Sequence, residues 1–416
     1  MTKPQQRGRK HHALKVIAAF VLIVIVGLFG WWGYGKLKVQ RQQTALAPFY
    51  STENQTLEGA PGELIRSEPI ETTVEGGDGY RILYRTQRKD GSYTFSSGMV
   101  FIPTTSTNTP RPVVAWAHGT LGMGDACAPS RTTDPAATIP GLAEMLQRGW
   151  VVTATDYAGL GTAGTEGYLV GQDEAYDVLN SVRAAKQLTG TNMGNDITIW
   201  GHSQGGHSAL FSSSLAHEYA PEFTLKGTIA SAPAAELKAL LDQQGNGSPL
   251  NWVIGPEVML SWPEAYPDLS PEQVLSKAGQ KNYKRIAEKC IEQASEEGLI
   301  RSGLKQQFFS QNPMDVPVWE QVATEQTAPI LQPNQPLLVV ESTADQVVLP
   351  STTALYIERA CEARSNLASL WLAEVGHIKL APVSAPQAIA WLSDRFENRP
   401  NISTCNQVPP VAPATP

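Results

Sequence analysis

Ser203 stands in the run Gly201-His202-Ser203-Gln204-Gly205, which matches G-x-S-x-G. Before it lies a short β-branched, apolar stretch, Asp196-Ile-Thr-Ile-Trp200, and after it a helix-forming one, His207 to His217. A strand, a sharp turn and a helix are the context in which this pattern becomes a nucleophile elbow. The turn strains the serine backbone and brings neighbouring chain segments close, which Gly201, Gly205 and Gly206 permit. The chemistry on offer is nucleophilic attack by the Ser203 hydroxyl, with the helix N-terminus aimed at the developing oxyanion.

A serine hydroxyl near pH 7 needs a base to take its proton. Of the seven histidines, His11 and His12 precede an apolar segment and fall on the far side of it. His202 adjoins the serine and cannot fold back onto its hydroxyl. His207 and His217 ride the following helix, where surface or packing roles are expected. His118 closes an early strand, in a loop suited to oxyanion donors. That leaves His377, in the Gly-preceded loop Glu374-Val-Gly-His377, as the general base.

An aspartate is expected to orient that imidazole. Between Ser203 and His377 lie Asp242, Asp268, Asp315 and Asp345. The first two fall in an insertion, and Pro267-Asp268 reads as turn chemistry. Asp315 is flanked by prolines. Asp345 follows a buried strand, Pro336-Leu-Leu-Val-Val-Glu341, at the sheet end where catalytic loops gather; its plainer role would be to cap a turn. Ser203, Asp345 and His377 then run in the α/β-hydrolase order. The expected oxyanion donors are the amides of Gln204 and of Thr120, in His118-Gly119-Thr120. Loss of one such donor typically costs about 100- to 1,000-fold in rate.

The elements that must carry these residues alternate. Short alternating runs between Glu63 and Pro103, split by Gly-Gly-Asp-Gly and Lys-Asp-Gly turns, predict antiparallel hairpins. Buried strands are expected at Pro112–Ala117, Trp150–Thr155, around Ile197–Trp200, at Phe223–Ala230, Pro336–Glu341 and Leu367–Ala373. Helices are expected at Ile139–Arg148, Gln172–Leu188, Thr352–Ala363 and Ala385–Phe396. The resulting fold class is α/β: a mostly parallel sheet with helices on both faces. From 235 to about 327 the alternation breaks. Helical runs there (Glu236–Leu241, Tyr283–Ser295, Leu299–Phe309) predict a cap insertion, with many aromatics. Residues 63–400 form the catalytic domain on this reading, preceded by a 36–62 linker and followed by a loose 401–416 tail.

The 416 residues are 42% hydrophobic and 17% charged, as in ordinary globular chains, and the net charge of −7 argues against nucleic acid as a partner. The N-terminus differs. Lys3, Arg7, Arg9, Lys10 and Lys15 precede or open an apolar run that ends in Trp31-Trp32-Gly-Tyr34. Length and charge bias predict a membrane anchor at 13–35, with residues 1–12 cytoplasmic and the remainder periplasmic or extracellular. The competing reading is a cleaved signal peptide, which would make the protein secreted. All four cysteines fall beyond the anchor, in a compartment that favours disulfides. Four allow three pairings; proximity favours Cys361 with Cys405 and, by remainder, Cys127 with Cys290.

Taken together, His118-Gly119-Thr120, Cys127-Ala-Pro-Ser130, Asp156-Tyr-Ala-Gly-Leu-Gly-Thr162, the elbow and the Asp345 and His377 loops resemble the secretory lipases of the Candida antarctica lipase A type. That resemblance covers roughly residues 60–405. It implies an α/β-hydrolase fold with a helical cap before the carboxylate, two disulfides, and a serine esterase or lipase acting on an ester or lipid without cofactor or metal. A serine peptidase or acyltransferase would use the same residues, and a non-catalytic binding protein would share the fold. The anchor departs from the family pattern, whose members are usually released.

Overall fold

The computed structural model describes residue 35 and residues 37–71, 74–245 and 247–415. The expected span at 13–35 lies outside the described residues but for Gly35. Among the described residues no helix is long and apolar enough to cross a membrane. Two compact units divide the chain, residues 1–49 and 50–416. In the first, helix α1 is described over 37–50, where polar composition without period suggested a linker; the second unit takes over at its last residue.

The second unit is built on a nine-stranded sheet in the order β1-β2-β3-β5-β4-β6-β7-β8-β9. The strands β1 (Leu64–Pro69), β2 (Gly77–Gln87) and β3 (Tyr93–Pro103) pair antiparallel, as the turn residues between them predict. β3 then meets β5 (Val151–Thr155) antiparallel. From β5 onward β4 (Arg111–Ala117), β6 (Met193–His202), β7 (Thr224–Ser231), β8 (Leu337–Ser342) and β9 (Leu367–Leu372) are all parallel. Their continuous apolar runs reflect burial on both faces. In β4 the period-2 alternation divides the residues. Val113, Ala115 and Ala117 pack under α3 (Gly171–Gln187) and α4 (Gln204–Tyr219). Val114 and Trp116 pack under α2 (Leu142–Gln147) and the last helix, α11 (His377–Phe396). This is an α/β-hydrolase sheet with helices on both sides.

Trp200 links the core to the site. It is fully buried near the end of β6, its ring edge-on to Trp116 at 5.2 Å, and its Nε1–H donates to Ser231 Oγ at 3.1 Å. Truncation of a buried Trp to Ala typically costs about 3–5 kcal/mol, and here the cavity would open directly beneath the elbow.

Between β7 and β8 the chain is helical: α5 (Leu237–Gln244), α6 (Gly255–Ala265), α7 (Lys277–Ala287), α8 (Ile291–Gly303) and α9 (Pro317–Glu325). Three expectations fail here. The run expected over Tyr283–Ser295 is two helices, broken where the 121–124 loop inserts: Met123 N–H donates to Ala287 O and Ile291 N–H to Leu121 O, both at 2.8 Å. The run expected over Leu299–Phe309 stops at Gly303; Lys305 turns to φ 57°, and Phe309 bridges to Leu275 instead. No helical run is expected over α6 or α9, which contain Pro256, Pro263 and Pro317. Pro256 and Pro317 in fact lie in first turns, where a missing N–H is harmless. α11 begins at His377 rather than Ala385, with Pro382 and Pro386 inside it. α10 spans Pro350–Glu362. The tail is not loose throughout: Ala414 is buried and its N–H donates to Ser351 O at 2.9 Å.

Both disulfides of the expected pairing are present, Cys127–Cys290 and Cys361–Cys405. The first ties the loop beyond β4 to the α7–α8 break.

Candidate active site

Ser203 follows β6 at φ 61°, ψ −119° and caps α4. A non-glycine residue there stores of the order of 1–3 kcal/mol of backbone strain. The turn is held by Ser203 N–H donating to Ser231 O at 2.9 Å, and by His207 and Ala234 N–H donating to Ser203 O at 3.2 and 3.3 Å. Two glycines are obligatory. A Cβ at Gly201 would come within 1.8 Å of Gly205 O, and one at Gly205 within 1.9 Å of Ala117 O.

The residues selected by elimination meet. Ser203 Oγ lies 2.9 Å from His377 Nε2, and His377 Nδ1 lies 2.6 Å from Asp345 Oδ2. His377 is not in a loop, as expected, but is the first residue of α11, with Gly376 in extended conformation as its cap. Asp345 also caps its turn: Oδ1 accepts the amides of Val347 and Val348 at 2.8 and 3.1 Å. Its two proposed roles fall on separate oxygens of one carboxylate. The side chain of Asp345 is fully buried and that of His377 nearly so. This geometry can move a proton from Ser203 Oγ to His377 while Asp345 holds the imidazole.

Thr120 and Gln204 line one cavity with Ser203. The Gln204 amide opens α4, where N–H groups have no acceptor within the helix. Thr120 Oγ1 lies 2.9 Å from Tyr168 OH. The rest of the cavity wall is mostly apolar and comes largely from the cap, with Leu237, Leu240, Val258, Met259, Trp262 and Trp319 among its residues.

The other histidines take supporting places. His202 turns away from the serine and its Nε2 meets His377 O at 3.0 Å. Burial, with His377 adding to it, lowers its pKa to about 3, so it stays neutral and Nε2 donates. His118 is buried with Nε2 3.3 Å from Asp156 O. Asp156 in turn accepts Ser97 Oγ at 2.6 Å and Ser130 N at 2.9 Å, so the Asp156-Tyr157 run braces the end of β4. His217 is exposed, and His207 is wholly buried.

Sequence reasoning missed a buried polar cluster behind the elbow. Glu174 Oε2 accepts Ser208 Oγ at 2.8 Å and lies 2.9 Å from His207 Nδ1. Its Oε1 accepts Leu169 N and Gln204 Nε2, both at 2.9 Å. Glu166 Oε1 accepts the same Gln204 Nε2 at 2.8 Å, and burial raises this carboxyl to about 8. Glu341, before Asp345, is raised to about 8 by burial and by the Asp345 charge. A signal existed for Glu174: it falls on the buried face of α3, in register with Ala175 and Val178. Glu166 carried none.

The secretory lipase family model matches residues 130–404. The chain is 23% identical over 375 residues to a probable inactive lipase of Mycobacterium tuberculosis, covering 85% of this chain and 82% of that one. It is 24% identical over 366 residues to lipase A of Arthroderma benhamiae, covering 81% and 74%. The fold superposes on Candida antarctica lipase A in its closed state with a TM-score of 0.69 at 18% identity, over 88% of this chain and 89% of that one. By the family match and the fold together, the chain belongs to the secretory lipases, carboxylic ester hydrolases of the α/β-hydrolase superfamily.

Proposed function

We propose that the protein hydrolyses carboxylic esters through a Ser203–His377–Asp345 triad and an acyl-enzyme. His377 Nε2 takes the Ser203 proton as Oγ adds to the ester carbonyl. The Gln204 and Thr120 amides receive the oxyanion. The imidazolium then protonates the departing alkoxide, leaving Ser203 acylated. Water attacks the acyl group with His377 again as base, and the acid is released. One observation carries this reading: the unbroken chain from Ser203 Oγ through His377 to Asp345, at 2.9 and 2.6 Å, at the wall of an apolar cavity. That cavity favours an apolar acyl group. A relative described as probably inactive makes the test necessary, because activity rests on this chain's own residues.

The same reading places the enzyme at a membrane. Residues 1–12 are cytoplasmic, 13–35 form the anchor, and the catalytic domain, 63–400 with its cap at 235–327, lies on the periplasmic or extracellular side. The support is the apolar run with its flanking charges in the sequence, together with two disulfides that suit an oxidising compartment.

The test offers the full chain, in detergent, p-nitrophenyl esters of graded acyl length and aminoacyl anilides. Ester turnover that rises with acyl length and vanishes in Ser203→Ala is expected. Turnover of anilides alone would remove the esterase reading, and ester activity surviving in Ser203→Ala would remove the triad.

A further inference from the structure

Gln204 contributes two groups to the site's surroundings. Its backbone N–H faces the oxyanion position in the proposed mechanism, while its side chain points into the protein. There the single nitrogen Nε2 donates to two carboxyl groups, Glu166 Oε1 at 2.8 Å and Glu174 Oε1 at 2.9 Å, with all three residues buried. Both N–H bonds of the amide are thereby used.

The two glutamates stand at the ends of one segment, 166–174. Glu174 lies in the first turn of α3 and also accepts Ser208 Oγ and Leu169 N–H, and it contacts His207 Nδ1. Three residues of the first turns of α4 (Gln204, His207 and Ser208) thus converge on one carboxyl group. The same segment carries Tyr168, whose hydroxyl meets Thr120 Oγ1 at 2.9 Å. Both oxyanion donors are tied to the 166–174 segment, one through Gln204 and one through Thr120.

We propose that Glu166 and Glu174 are positioning residues for the oxyanion: acting through the Gln204 side chain, they hold the first turn of α4 so that the Gln204 N–H stays aimed at the reacting carbonyl. This rests on the triad reading above. Neither glutamate lines the cavity at Ser203. Preorganised donors give their full effect only when held in place before the charge develops, so loss of the tether costs rate in the transition state and leaves ground-state binding unchanged. At pH 7 the raised pKa of Glu166, caused by its burial, leaves it protonated.

A double-mutant cycle tests this on the full chain with p-nitrophenyl butyrate, after Ser203→Ala has been shown to abolish turnover. If Ser203→Ala stays active, the triad reading fails and this one with it. With the triad standing, Gln204→Met keeps side-chain length and backbone but removes the tether. It is expected to lower kcat about tenfold at unchanged KM, a part of the roughly 100- to 1,000-fold that a whole donor supplies. Glu174→Gln alone is expected to lower kcat similarly, and to add little in the Gln204→Met background. Equal losses from Glu174→Gln in both backgrounds would overturn the proposal, because Glu174 would then act on the fold and not through Gln204. If Glu174→Gln does not fold, Gln204→Met decides alone: an unchanged kcat, or a loss confined to KM, overturns it.

Discussion

His202 Nε2 donates to the backbone carbonyl of His377 at 3.0 Å, with the two rings 4.7 Å apart. The residue that precedes Ser203 therefore pins the backbone of His377. His202→Leu would leave that carbonyl without its donor. A hydrogen bond of this kind contributes about 1 kcal/mol net, so kcat is expected to fall about fivefold with KM little changed. Because His202 stays neutral down to about pH 3, the acid limb of kcat/KM should keep the slope of one proton down to pH 4. A slope of two, measured on the wild-type chain, would show that His202 titrates with the base.

Asp345 divides its work between oxygens, Oδ2 toward His377 and Oδ1 toward the amides of Val347 and Val348. In Asp345→Asn the amide oxygen keeps the turn, while the NH2 faces His377 Nδ1 and forces the other tautomer. Activity is expected to fall about 10,000-fold, as in comparable triads, with the melting temperature nearly unchanged. Steady-state rates and a thermal melt on the same sample check both halves. A loss below tenfold would take Asp345 out of the proton-transfer chain.

Glu341 is buried beside Asp345, where Thr353 Oγ1 donates to it at 2.5 Å, and its pKa rises from the ordinary 4.5 to about 8. A carboxyl whose pKa is raised on folding favours the native state while protonated. Its contribution is complete below about pH 4.5 and declines as pH rises through about 8. Glu341→Gln imitates the protonated form and does not titrate. The variant is expected to melt with the wild type near pH 5 and above it near pH 9. Parallel melting curves across that range would show that Glu341 does not titrate on folding.

The disulfides close loops of different length, with sequence separations of 163 for Cys127–Cys290 and 44 for Cys361–Cys405. Chain entropy assigns about 5 kcal/mol to the longer and about 4 kcal/mol to the shorter. The Cys127→Ser/Cys290→Ser protein is therefore expected to be less stable by about 1 kcal/mol than Cys361→Ser/Cys405→Ser. Denaturant unfolding of the two variants decides it, and the reverse order would show that native-state packing outweighs loop closure.

The local part of this protein could be read from one dimension. G-x-S-x-G between a β-branched run and a helix needs only neighbours to become an elbow, and the apolar runs of β4, β5 and β6 need only their own composition to be buried strands. Chain order and local context pointed to His377 and Asp345, because the other histidines, and the other aspartates between 203 and 377, each had a local reading. The cap was legible as a break in alternation, but its helices were not. The sequence does not mark Pro256 and Pro317 as lying in first helical turns, where a missing N–H is harmless. The break at 288–290 comes from a loop more than 160 residues away.

What only the tertiary structure decided is the set of contacts between side chains distant in sequence. Nothing local to Glu166 or Glu174 announces that both accept from Gln204, 38 and 30 residues away. A buried carboxyl is costly unless the fold brings it donors, and which donors arrive is settled by how α3, α4 and the 166–171 loop pack. Residue types determined what chemistry the chain could attempt; packing decided how firmly Ser203, His377 and Gln204 are held in place.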